Sequence, residues 1–204
     1  MQDFFISDLH FRHAKSIKKD KRPFKNIDSH DKKIIENWNN VVGKDDNVYI
    51  LGDVGIGILK EIVSILKKLN GKKHLIVGNH DYKYLKNSEF ANCFESINSY
   101  LELRVIDKKG RKVNLILSHW PITCFVGHSY GTYHFYGHVH NTWEWDFIES
   151  SKWQMEHKKH SLCRMYNVGA MMPYIQYTPK TFLEVIDGYN DFKRAKFKRS
   201  SYKK

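Results

Sequence analysis

The sequence predicts an α/β fold with parallel strands, on three observations. The first eighty residues alternate short apolar runs with helix-period stripes, in the order strand, helix, strand, helix, strand. Each of those apolar runs stops at a polar loop rich in potential ligands: Ser7-Asp8, Gly52-Asp53 and Gly78-Asn79-His80-Asp81. Beyond residue 95 the character changes to a hairpin signal followed by further short strands.

The elements follow in order. Residues 2–7 read as a short apolar strand. From 29 to 42, Ile34, Ile35, Trp38, Val41 and Val42 recur at helical spacing, with Asp28 or Ser29 as the expected cap. Val48 to Leu51 is a buried strand. Ile58, Leu59, Ile62, Ile65, Leu66 and Leu69 form a helical stripe that Asn70-Gly71 ends. His74 to Val77 is the next strand. Residues 97–106 and 111–117 flank the turn Asp107-Lys108-Lys109-Gly110 and predict a hairpin. Short strands are expected at 133–136, about 164–168 and 182–186. The segment 141–162, with Trp143, Trp145 and Trp153 among charges, reads as a strand or loop excursion over the core.

Composition narrows the class. With 41% apolar and 14% aromatic residues, the 204-residue chain can bury a real core, which excludes wholesale disorder. No apolar run nears the roughly 18 residues of a membrane helix, so no membrane partner is expected. Cys93, Cys124 and Cys163 are far apart without a CxxC, and the N-terminus enters a strand directly. Both features predict a reduced, cytoplasmic chain without a secretory signal. The net charge is +12, and residues 192–204 carry seven Lys or Arg and no acid. The chain is therefore read as one domain over 1–191 with a basic C-terminal tail at 192–204. That tail is either a solubilising terminus or an electrostatic arm for nucleic acid.

The strand-end loops carry the chemistry. In an open α/β sheet, loops at the carboxyl ends of strands converge on one crevice. Asp8, His10, Asp53, Asn79, His80 and Asp81 lie in such loops. The later half adds His119 after an apolar run, and His138 and His140 in Gly137-His138-Val139-His140. Carboxylate, imidazole and amide oxygen together suit Mn, Fe or Zn rather than an all-oxygen calcium site. In an extended loop, Asp-x-His and His-x-His direct alternate side chains the same way. A bridging carboxylate would hold two metals about 3.5–4 Å apart, the arrangement used on phosphate esters.

Taken singly these motifs are weak, but five of them in fixed order are specific. Asp8-Leu9-His10, Gly52-Asp53, Gly78-Asn79-His80-Asp81, Ser118-His119-Trp120-Pro121 and Gly137-His138-Val139-His140 resemble the calcineurin-like metallophosphoesterase superfamily. Asn167-Val168-Gly169 resembles the loop that closes the family core. The resemblance implies two mixed β-sheets packed as a sandwich and flanked by helices, in four α/β/β/α layers. It implies Asp8, His10 and His140 on one metal, Asn79, His119 and His138 on the other, and Asp53 bridging. By the same resemblance His80 contacts the scissile phosphate and helps protonate the leaving oxygen, and Asp81 orients it. The implied cofactors are two divalent transition metal ions, manganese first, with iron, zinc and nickel as alternatives. The implied reaction is hydrolysis of a phosphodiester or phosphomonoester of nucleotide type, by in-line attack of a metal-activated hydroxide.

The chain departs from the family pattern in two places. Arg12 and His13 stand after Phe11 where many relatives carry glycine, and both are expected to bind substrate. The Gly52-Asp53-Val54-Gly55 loop is short, and no cap domain is appended, which predicts an open, shallow site. Two other readings remain: a nuclease acting on a nucleic-acid polymer, and a metal-poor scaffold of the same fold. The scaffold reading is disfavoured because every donor position and His80 are present. A structural role is expected for His134, the three thiols are expected to be inert, and the 126–132 loop is expected to line the pocket.

Overall fold

The computed structural model describes residues 1–158 and 160–201, with side chains through residue 196. In chain order the elements are β1 (Asp3–Ile6), α1 (Ala14–Lys19), α2 (Ile27–Val41), β2 (Asn47–Ile50), α3 (Leu59–Lys68) and β3 (Lys72–Ile76). There follow α4 (Ser88–Ala91), β4 (Ser96–Asn98), β5 (Tyr100–Ile106), β6 (Lys112–Ser118), β7 (Tyr133–Tyr136), α5 (Trp143–Lys158), β8 (Arg164–Asn167), β9 (Lys180–Thr181) and α6 (Phe182–Ser201).

The strands form two mixed sheets. The first has the order β4-β3-β2-β1-β9, parallel except for β9 at its edge, and the second has the order β5-β6-β7-β8, parallel except for β5. Strand alternation explains their packing. Phe5, Tyr49 and His74 fall in register across β1, β2 and β3 and stack ring on ring, at 5.4 and 4.8 Å between centroids. Phe5 meets Phe135 of β7 edge to face at 5.2 Å, so this row faces the second sheet. Phe4 and Ile6 point the other way, to the side of α2 and α3, which bury Ile34 and Trp38, and Ile62, Val63, Ile65 and Leu66. The indole N–H of Trp38 donates to the Asn70 carbonyl at 2.9 Å, tying α2 to the end of α3. A bridge between Ser7 and Gly169 joins the two sheets just past β1 and β8, where the polar loops leave.

Three readings are corrected. Residues 141–162 hold the helix α5, not a strand or loop excursion. Its buried positions are Trp145, Ile148 and Lys152, a narrow stripe that includes a lysine, while Trp143, Phe147 and Trp153 face solvent. Residues 182–186 begin α6, not a strand. Only Lys180 and Thr181 pair with β1, and Phe182, Val185 and Tyr189 are buried at helical spacing. The α2 cap is Asn26, whose side chain accepts from Ser29 N–H while the Ser29 hydroxyl accepts from Asn26 N–H. The basic stretch from 192 lies on α6 as far as Ser201, and 202–204 lie outside the described residues. Among the described residues no helix is long and apolar enough to cross a membrane.

Candidate metal centre

The loops leaving β1, β2, β3, β6 and β7 meet at one crevice. Asp8, His10, Asp53 and His140 each bring a ligand atom to a cluster whose atoms all lie within 4.8 Å of one another, and all four residues are buried. His10 Nε2 is 3.1 Å from His140 Nε2 and 3.7 Å from Asp53 Oδ2, and His140 Nε2 is 3.4 Å from Asp8 Oδ1. On the other side of Asp53, Asn79 Oδ1 lies 3.1 Å from His119 Nε2 and 3.0 Å from His138 Nδ1. His119 Nε2 is 3.7 Å from Asp53 Oδ1. Asp53 therefore presents one oxygen to each group. The seven expected donors come together as two sets that share this carboxylate.

The backbone pays for this convergence with strain. Asp8, His10, Asp53, His138 and His140 have φ between 49° and 66°, in the left-handed region, and Arg12 continues the series at 59°. The loops are thus not extended; alternate residues are turned left-handed, which aims their side chains inward. Gly137 is required for a different reason. A Cβ there would lie 2.6 Å from Asp8 Oδ2 and would meet the Ser7 hydroxyl. This close approach lets the His138 N–H donate to the Asp8 carboxylate at 3.1 Å.

Electrostatics agree with a cation between these groups. Burial raises the pKa of Asp53, and the neighbouring Asp8 carboxylate raises it further. Burial opposes ionisation of Asp8 too, but attraction to His140 holds its carboxyl below the usual range. Burial, then Arg22, drives His10 well below its ordinary pKa, so its ring is neutral and able to ligate. At His140 burial works against the proton, yet Asp8 and Asp20 outweigh it and raise the pKa to about 9. Ligands about 2.1 Å from one ion sit about 3 Å or more apart, which the donor spacings match. Imidazoles, carboxylates and one amide oxygen fit a divalent transition metal, which would displace the proton that Asp8 and Asp20 hold on His140.

The remaining expected residues are placed as follows. His80 lies at the rim, with its side chain 41% exposed; its backbone N–H donates to Asp53 Oδ1 at 3.0 Å and its Nε2 is 3.8 Å from Asp53 Oδ2. Asp81 is fully buried, and its hydrogen bonds go to the amides of Gly78, Asp53 and Val54 at 2.9–3.0 Å, not to the His80 ring. Its geometry braces the two loops rather than orienting the imidazole. His13 stands in the crevice, with Nδ1 3.2 Å from His10 Nδ1 and its ring 6.2 Å from that of His80. Arg12 turns toward the helices: its guanidinium meets Asp28 at 2.6 Å, Glu61 at 3.3 Å and Asp31 at 3.5 Å. These contacts support bracing of the loop by Arg12, not the expected reach toward substrate.

Two functional neighbours carried no sequence signal. Asp20 accepts from His140 Nδ1 at 2.8 Å, and Arg22 pairs with Asp20 at 2.9 Å, both side chains fully buried. They sit in the lysine-rich run Lys18-Lys19-Asp20-Lys21-Arg22, outside all five motif loops.

Known proteins bear on this geometry. A protein of Methanocaldococcus jannaschii described as uncharacterized is 36% identical over 152 residues, covering 73% of this chain and 76% of its own. The gene 66 protein of Mycobacterium phage L5 is 32% identical over 130 residues, covering 58% of this chain and 62% of its own. A crystal structure of a protein of unknown function from Aquifex aeolicus shares the fold, with a TM-score of 0.52 and 23% identity over 87% of this chain and 93% of that one. The calcineurin-like phosphoesterase family matches residues 4–165, from the first strand of the first sheet into the last strand of the second. That span contains every loop that meets at the crevice, and by it the chain belongs to the calcineurin-like phosphoesterase family.

Proposed function

We propose that the protein is a dinuclear-metal-dependent phosphoesterase that hydrolyses a phosphodiester or phosphomonoester of nucleotide type. The observation that carries this reading is the pair of donor sets sharing Asp53 beneath the exposed ring of His80. Asp8, His10 and His140 would hold one ion and Asn79, His119 and His138 the other, with Asp53 between. Two bound divalent ions would lower the pKa of water and neutralise charge on the phosphoryl oxygens.

The protein's own groups do the rest. His80 would supply a proton to the leaving oxygen, and its backbone N–H bond to Asp53 anchors the loop that carries the ring. Asp81 fixes the Gly52-Asp53 and Gly78-Asn79 loops to one another through their amides. His13 accepts from His10 Nδ1, which leaves His10 Nε2 free to face the centre. Trp120 supports the nucleotide class: its ring leans on His138 at 4.1 Å, and the residue is 42% exposed beside the donors.

A second reading, a nuclease, is favoured by one observation. Lys15, Lys18, Lys19 and Lys21 are exposed on and after α1, which starts directly beyond His13. Lys19 and Lys21, with Asn141 and Tyr177, also line a cavity of about 620 Å³ beside Asp20.

The test is Mn-loaded protein against mono- and diester chromogens, cyclic and linear nucleotides, and single- and double-stranded nucleic acid. Turnover of a small nucleotide ester is expected. Turnover confined to polymers would favour the nuclease, and none on any substrate would favour the scaffold.

A further inference from the structure

We propose that Asp20 and Arg22 are positioning residues that make the two metal positions unequal, the Asp8/His10/His140 position binding the tighter ion. This rests on the dinuclear reading and goes beyond it. Neither residue belongs to any of the five motif loops.

Asp20 lies just past α1, with its side chain fully buried. Its Oδ1 accepts from His140 Nδ1 at 2.8 Å. An acceptor there keeps the ring proton on Nδ1 and leaves the Nε2 lone pair aimed between Asp8 and His10.

Arg22 gives the contact its reach. Its Nε donates to Asp20 Oδ2 at 2.9 Å, Nη2 to the Asp8 carbonyl at 3.0 Å, and Nη1 to the Leu9 carbonyl at 3.1 Å and to His30 Nε2 at 2.9 Å. One planar fork thereby ties the acid behind the third ligand to the loop that carries the first two. His30 Nδ1 in turn donates to Asp31 Oδ1 at 2.8 Å, and the second oxygen of Asp31 accepts from Arg12 N–H at 3.1 Å. The left-handed turns at Asp8, His10 and Arg12 are thus held from behind by α2.

Burying a carboxylate and a guanidinium is costly, and apolar side chains would fill the same volume without that cost. In this lysine-rich run only these two charged groups turn inward; Lys18, Lys19 and Lys21 are exposed. Arg22 offsets the charge of Asp20. The effect on the metal is therefore one of orientation and proton placement, not of added negative charge.

The other donor set lacks this support. His119 Nδ1 faces a neutral acceptor, the Leu51 carbonyl, at 2.7 Å. That set combines Asn79, His119 and His138 with the shared Asp53, so it has one carboxylate, against two for the first. Second-layer partners of this kind change metal affinity about 10- to 100-fold.

The experiment titrates metal-free full-length protein with Mn²⁺ by calorimetry, for wild type, Asp20→Asn and Arg22→Gln. Wild type is expected to bind two ions in unequal steps. Asp20→Asn should weaken the tighter step about 10- to 100-fold and leave the weaker step in place. An unchanged tighter step, or equal weakening of both, would overturn the proposal. Nitrogen-15 NMR of the Zn²⁺-loaded wild type is a second readout that needs no variant. It should show His140 protonated at Nδ1 and ligated through Nε2, and ligation through Nδ1 would overturn the assignment. A wild type that binds fewer than two Mn²⁺ ions would instead overturn the dinuclear reading beneath it.

Discussion

Asp53 and His140 differ in what their loss should remove. Asp53 offers an oxygen to each donor set, whereas His140 serves one. Asp53→Asn should therefore cost both ions, and His140→Ala chiefly one, by elemental analysis after metal loading. His80→Ala should keep fold and metal and lose about 10²–10⁴-fold in turnover, with the smaller loss on substrates whose leaving group needs no proton. Equal losses on good and poor leaving groups would reassign His80 to phosphate positioning. Asp81 belongs to stability. Its carboxylate satisfies three buried amides, and unpaired buried donors cost about 1–3 kcal/mol each. Asp81→Ala should lower unfolding free energy by about 3 kcal/mol or more in denaturant titrations of metal-free protein, and Asp81→Asn by less. At this scale the meeting of Asp8, His10, Asp53 and His140 was legible, because each stands in a loop after an apolar run that ends abruptly. Asp20 and Arg22 were not. Charged residues among lysines show no sign of burial until the tertiary fold turns them inward.

Elements repeat the contrast. The apolar runs of β1 to β3 and the period-3.6 stripes of α2 and α3 matched the structure because the strands are covered on both faces and each helix has one wide apolar face. In α5 that face shrinks to Trp145, Ile148 and Lys152, and three exposed aromatics blur it. Lys152 is buried because its ammonium donates to Glu149, the Met165 carbonyl and the Tyr189 hydroxyl at 2.7–2.9 Å, a role no periodicity reveals. In β7, His134 gives an element-scale prediction. Its ring is buried; Nε2 accepts from Ile122 N–H at 3.1 Å and Nδ1 lies 3.2 Å from the Ile116 carbonyl. Burial lowers its pKa to about 4 from an ordinary 6.5. The unfolded chain therefore binds a proton more readily than the folded one. The stability from neutral His134 is complete above pH 6.5 and is lost as pH falls toward 4, by about 3 kcal/mol in all. Thermal melts of metal-free protein should show this slope, and His134→Gln should flatten it while lowering stability at neutral pH. An equal slope in the variant would assign the acid sensitivity elsewhere.

For the whole molecule, charge gathers at the C-terminal end, where residues 192–204 carry seven Lys or Arg and no acid. Phe192 packs near Trp145 and Tyr174, and Lys193 pairs with Glu149 at 2.9 Å, so α6 is part of the domain to at least this point. A cut after Lys193 removes six of the basic residues and spares these contacts. If this end acts as an arm for single strands, truncation should weaken oligonucleotide binding and flatten its salt dependence by up to about 0.7 in slope for each phosphate left without its cation. Turnover of a small chromogenic ester should be unchanged. Identical binding curves at two salt concentrations would show that the charge only solubilises.

The sharing of donors between two sheets also sets an order in time. The first sheet supplies Asp8, His10, Asp53 and Asn79, and the second supplies His119, His138 and His140. During synthesis the early strands emerge with incomplete coordination, and neither donor set closes until residues 138–140 have arrived. An ion in the first set would clasp His140 to His10, 130 residues earlier in the chain. On the dinuclear reading, closing either donor set around an ion would follow the docking of the two sheets.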